Sequence, residues 1–135
     1  LHEPYRRQRQ MCIRDRDLIT VETAAIVHDI ACPLCREKYG NTNGKYQEKE
    51  GILLAEEFLK DTDLPEEIKK RVVFLVGHHH TLTGIDGIDY QILLEADYLV
   101  NADESGYSEG NISNTKRKLF KTKTGLRLLE AVYGI

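Results

Sequence analysis

The chain has 135 residues, three Cys and a net charge of −3, which allows one domain of modest core and excludes a disulfide framework. The charge is unevenly spread: residues 6–16 hold five Arg against one Asp, a surplus of +4, which leaves the remainder at −7. An acidic body of that kind offers no footprint for a nucleic-acid polymer and suits small ligands, with a metal ion offsetting the charge of a phosphate.

The first sixteen residues read as a non-native segment. Arg6 to Asp15, RRQRQMCIRD, is the translation of a transposon-end sequencing adapter, and the flanking Tyr5 and Arg16 fit the adapter's neighbouring bases. The five arginines therefore support neither a targeting peptide nor a nucleic-acid-binding arm. Residues 17–135 are the expected domain. No apolar run there approaches the ~20 residues needed to span a bilayer, and a cytoplasmic location without membrane association is expected. Cys12 falls in the excluded segment, leaving only Cys32 and Cys35.

In chain order the domain reads as all-helical. Leu18, Ile19, Val21, Ala24, Ala25, Val27 and Ile30 recur at helical spacing, so a largely buried helix is predicted from Asp17 to about Ala31. Pro33 ends it. Tyr39 to Lys45, with two Gly and two Asn, is predicted as a loop. An amphipathic helix then starts near Tyr46 and carries Ile52, Leu53, Ala55, Phe58 and Leu59. Asp63-Leu64-Pro65-Glu66 opens a further helix with Ile68, Val72, Val73, Leu75 and Val76, which runs into Gly77 and three histidines. Thr81 to Gly87 is a loop. Tyr90 to Ala102 is helical, with Ile92, Leu93, Ala96, Leu99 and Val100 on one face. A polar stretch from Ser105 to Thr115 precedes a last helix over Leu126 to Tyr133, whose apolar residues are Leu128, Leu129 and Val132. No strand alternation and no internal repeat is evident.

Two places put charge where packing does not need it. Asp97 follows Leu93 by four and precedes Val100 by three, on or beside the apolar face of its helix. A buried carboxylate must be neutralised, paired or metal-bound, unless it reaches solvent at the face's edge or meets a basic neighbour. His28-Asp29 closes a buried helix, where a histidine can also be held simply by the helix dipole. Taken together, the two features favour a metal site built in a helical core.

The residues that carry this reading also carry a resemblance. Ala24-Ala25-Ile26-Val27-His28-Asp29-Ile30, then Gly77-His78-His79-His80-Thr81, then Glu95-Ala96-Asp97, in that order, resemble the HD-domain superfamily of metal-dependent phosphohydrolases over essentially all of residues 17–135. The resemblance implies an all-α helical bundle missing its first helix. It implies His28, Asp29 and Asp97 as ligands of one divalent cation such as Mn, Mg or Fe. Among the three histidines it implies that one or two face the metal or the phosphate. His79 is expected to be the inward one, His78 the second catalytic candidate and His80 a substrate-binding one, because consecutive helical residues fan by ~100°. A cation held by imidazole and carboxylate can polarise a phosphate and acidify a water, and a histidine beside it can move the proton.

This chain departs from the family pattern in two respects. The family's first His, on a helix before the HD motif, is absent, and His2 is too isolated to replace it, so the gene is read as truncated at its 5′ side. Where members with two metals place a further His, this chain has Gln47, a poorer ligand than imidazole, which favours a mononuclear site. Lys45, on the glycine-bearing loop after the motif, is a candidate for contacting phosphate, with a solvated lysine as the alternative. Cys32 and Cys35 form a single C-x2-C, a weak zinc or redox signal. The expected partner is a small phosphorylated metabolite or nucleotide. A degenerate module of the same kind, binding nucleotide or metal for regulation without turnover, is the alternative.

Overall fold

The computed structural model describes residues 15–135, whose regular elements are all helices, with no strand among them. Calling the helices in chain order, α1 is Asp15–Val27, α2 Cys32–Tyr39, α3 Gly44–Leu59, α4 Glu66–Val76, α5 Ile88–Ser105, α6 Glu109–Lys118 and α7 Lys123–Tyr133. The all-α expectation therefore holds. The chain divides into two compact units, one ending at His80 and one running from Thr81 to Ile135.

In the first unit α1 and α3 both pack on α4, and α2 packs on α3. The contact surfaces follow from helical spacing: Thr20, Val21, Ala24 and Val27 on α1 and Ile68, Val72, Leu75 and Val76 on α4 are buried stripes. On α3 the stripe Gln47, Gly51, Ala55 and Leu59 recurs every four residues. Gly51 lets the α3 backbone approach α4, because a Cβ there would stand 2.8 Å from Val76 Cγ1. Gly77 does the same for Ile52, whose Cδ1 would meet an added Cβ at 2.7 Å.

Four sequence expectations change in this unit. The first helix ends at Val27 and turns through His28 to Ala31, four residues earlier than its apolar spacing suggests. Pro33 does not merely stop a helix but starts one, since α2 holds it in the first turn, where no intrahelical N–H is needed. That helix closes on Gly40 with φ 77°, a left-handed conformation that glycine adopts without Cβ strain. The third helix begins at Gly44 rather than near Tyr46, with Asn43 as cap accepting from the Lys45 N–H. Finally, Asp15–Tyr39 does contain a stretch apolar and long enough to cross a membrane, contrary to the reading of the sequence alone. It is broken by the turn at 28–31, and α1 within it supplies a packed face of the unit.

In the second unit α5 packs on α7. Tyr90, Leu93, Leu94, Ala102, Ile112, Leu119, Phe120 and Leu129 are buried. The polar stretch after α5 holds a helix, α6, capped by Ser108, whose hydroxyl accepts from the Asn111 N–H. Its composition hides it because only Ile112 faces the core. Two predicted faces hold only in part. Leu93 on α5 and Leu129 on α7 are buried as expected, but Ala96 and Val100 on α5 point outward, as do Leu128 and Val132 on α7, and Leu94 takes an inner position instead.

Candidate functional site

Within the first unit the turn after α1 and the turn after α4 bring His28, Asp29 and His79 together. His28 Nε2 lies 3.3 Å from Asp29 Oδ2, and His79 Nε2 lies 3.8 Å from Asp29 Oδ1. The two imidazoles meet edge to face at 5.3 Å between centroids. Burial is graded: the His79 side chain is fully covered, His28 is 17% exposed and Asp29 is 59% exposed. A deep imidazole, a shallow one and a solvent-facing carboxylate thus form a group open on one side.

The protonation pattern of this group follows from its backbone contacts. His28 Nδ1 is 2.7 Å from the Ala25 carbonyl and His79 Nδ1 is 2.7 Å from the Val76 carbonyl. A carbonyl only accepts, so both Nδ1 atoms carry the proton, and in the neutral rings both Nε2 atoms present a lone pair. Those lone pairs face the Asp29 carboxylate. Such an arrangement gathers electron pairs around one spot and favours a positive centre there.

Two helix-α3 residues complete the surroundings. Gln47 Oε1 is 3.0 Å from His80 Nε2 and 3.3 Å from His79 Nε2, and Glu48 Oε2 accepts the His80 backbone N–H at 3.0 Å. His79 and His80 stack obliquely at 4.1 Å. His78 turns back on its own helix instead, its Nδ1 donating to the Phe74 carbonyl at 2.7 Å and its ring stacked on Phe74 at 4.0 Å. Of the three histidines, His79 is therefore the most deeply placed, at 2% exposed for the whole residue.

Lys45 extends outward, its side chain 81% exposed and its Nζ 3.7 Å from Glu48 Oε1. The cation that is anchored in this loop region is Lys38, which donates to Glu50 Oε1 at 2.9 Å beside the Tyr39 hydroxyl at 3.0 Å. These contacts hold the Glu50 carboxyl below, and the Lys38 ammonium above, their ordinary ranges. Cys32 stands next to the site and hydrogen-bonds Asp29. Burial, and then the Asp29 charge, push its thiol up, the opposite of what an activated thiolate needs.

Asp97 belongs to the second unit, half-buried on α5. His2 lies outside the described residues. Among the described residues no three His, Cys, Asp or Glu side chains form a ready cage for a metal ion. The fit of the His28, Asp29 and His79 group to a cation lies in the chemistry of its donors, not in a preformed polyhedron.

The sequence singles out Gln47 only as a weak ligand, gives no role to Glu48, and shows Glu95 only as part of the Glu95-Ala96-Asp97 run. All three are buried polar residues, at 6%, 7% and 2% exposed. For Gln47 a signal existed, its four-residue spacing ahead of Gly51, Ala55 and Leu59 on the buried stripe. Comparison with protein-family models, with curated proteins and with solved structures found no match for this chain.

Proposed function

We propose that this chain is the metal-binding core of a phosphohydrolase acting on a small phosphate ester, a nucleotide or similar metabolite. The observation that carries the reading is the convergence of the His28 and His79 Nε2 lone pairs on the Asp29 carboxylate, both rings oriented by backbone carbonyls. The motif order of His28-Asp29, the histidine triplet and Asp97 supports it as well. In this reading His28 and Asp29 hold one divalent cation, and His79 lines it on the buried side. When bound, such an ion neutralises phosphate charge and acidifies a water. The chain's own residues then orient and cover: the buried His79 edge excludes solvent on one side, and Asp29 leaves the other side open to a ligand. In this reading His80, at the rim, accepts a proton of the bound ligand or of a water through its Nδ1.

The test is calorimetric titration of the full chain with Mn²⁺, followed by phosphate-release assays on p-nitrophenyl phosphate and on nucleoside monophosphates. Binding in the unsubstituted chain and its loss in Asp29→Asn are expected; equal binding in both sinks the ligand assignment. A module that binds without turnover is the second reading, favoured by Gln47 standing beside the two imidazoles. Tight Mn²⁺ binding with no phosphate release would select it.

A further inference from the structure

The Gln47 side chain is held at both ends, and this fixes which of its two amide atoms points where. Its Nε2 donates to the Thr42 carbonyl at 2.6 Å. Because a carbonyl can only accept, the amide cannot be turned over, and Oε1 must be the atom directed at the histidines. It lies 3.0 Å from His80 Nε2 and 3.3 Å from His79 Nε2. Gln47 is itself 6% exposed, so little solvent competes for these contacts.

The closer of the two contacts is the one to His80. His80 donates its Nε2 proton to Gln47 Oε1, which leaves its lone pair on Nδ1. His79 is anchored mainly from its other nitrogen, its Nδ1 donating to the Val76 carbonyl. His80 is further fixed by its backbone N–H on Glu48 and by lying against Gly44, where a Cβ would come within 2.9 Å of His80 Cβ and Cγ. The start of α3 thus grips the histidine turn through a bare glycine, an amide and a carboxylate.

We propose that Gln47 is a positioning residue: one amide oxygen, oriented by Thr42, holds the His80 ring by its Nε2 proton and sets it against His79. This inference rests on the metal-site reading for its functional meaning, while the arrangement itself can be measured without any metal. His79 then offers Nε2 towards Asp29, and His80 keeps Nδ1 as an acceptor for a ligand or water proton. The role differs from metal ligation, which is what the position suggests from sequence alone.

The experiment is proton and nitrogen NMR on the full chain with labelled histidine, in the presence of a chelator. A hydrogen-bonded imidazole N–H exchanges slowly and is visible, whereas a solvated one is not. His80 should show a protected Nε2–H, and His28, His78 and His79 should show protected Nδ1–H protons from their bonds to carbonyls. In Gln47→Leu the His80 signal should vanish while the other three persist, and Gln47→Glu, which keeps an acceptor oxygen, should restore it. Loss of all four signals together would mark Gln47 as a general packing residue and overturn the proposal. So would a His80 proton found on Nδ1 in the unsubstituted chain, a result that needs no variant to fold.

A second arm, without chelator, titrates Mn²⁺. Gln47→Leu should weaken binding by about ten- to a hundredfold, the usual effect of removing a group that orients a ligand. Unchanged affinity overturns the link to the site. If the unsubstituted chain binds no Mn²⁺ but the His80 signal depends on Gln47 as stated, the metal reading fails and the positioning role stands.

Discussion

Asp29 in the first unit and Glu95 in the second are both acidic side chains at the heart of their surroundings, and they are treated in opposite ways. Glu95 is 2% exposed and saturated with donors: Gln91 Nε2 at 2.5 Å, the Lys121 and Thr122 backbone N–H groups at 3.0 and 3.1 Å, and the Thr122 hydroxyl at 2.6 Å. Its charge is consumed in tying the start of α7 to α5. Asp29 is 59% exposed, and the nitrogens nearest its oxygens belong to rings whose protons have been given away to carbonyls. A buried carboxylate saturated by N–H donors is finished as structure; an exposed one, with one thiol donor and two imidazole nitrogens beside it, is still able to take a cation.

Substitution should separate the two by stability. Glu95→Ala should cost on the order of 4 kcal/mol, since two backbone donors and two side-chain donors lose their acceptor and each stranded donor costs roughly 1–3 kcal/mol. Urea unfolding reads it, and a loss below about 1 kcal/mol would break the comparison. Gly125→Ala should follow, because an added Cβ would overlap Glu95 Oε1 and stand 2.8 Å from Thr122 Oγ1. With the carboxylate held from four sides it cannot give way, and overpacking of this kind costs about 1–3 kcal/mol.

The first unit should respond differently. Asp29→Asn should change unfolding stability by no more than about 0.5 kcal/mol, as an exposed position does, while abolishing Mn²⁺ binding. A destabilisation comparable to that of Glu95→Ala would make Asp29 structural and remove the contrast.

A smaller effect belongs to the Lys38, Tyr39 and Glu50 network, and it is read through pH. Hydrogen bonds from Lys38 and Tyr39 lower the Glu50 carboxyl from its ordinary 4.5, so its contribution is present above that value and is lost as pH falls through the folded one. Lys38 is raised above 10.5 by Glu50, so its contribution is present below that value and is lost as pH rises through the folded one. Urea midpoints of Glu50→Gln and the unsubstituted chain should therefore differ at pH 7 and draw together as pH falls below 4.5 and through the lowered folded-state value. A difference that does not shrink on acidification would assign the effect to packing of the buried Glu50 stem.

Much of the architecture was legible in the chain itself because it depends on local periodicity. The apolar stripes of α1 and α4, the acidic start at Glu66 and the absence of strand alternation each reflect neighbours three and four residues apart. Where local signals conflicted, the reading went astray. Pro33 marks both an end and a beginning, and only the turn at 28–31 decides which; α6 shows a single buried apolar residue, Ile112, too little for any period. On α5 and α7 the apolar residues exceed one face, so the sequence cannot tell that Leu94 turns inward while Val100, Leu128 and Val132 turn out.

The candidate site divides in the same way. That His28-Asp29 and the histidine triplet are out of place for packing is a property of the sequence, visible as charge and imidazole at the ends of greasy helices. Which nitrogen each ring presents is not, because it is set by carbonyls of Ala25 and Val76 and, across 33 residues, by Gln47 meeting His80. Residue type alone says that a histidine can bind a proton or a metal. Only the folded backbone, by taking one ring proton, decides which lone pair remains to do so.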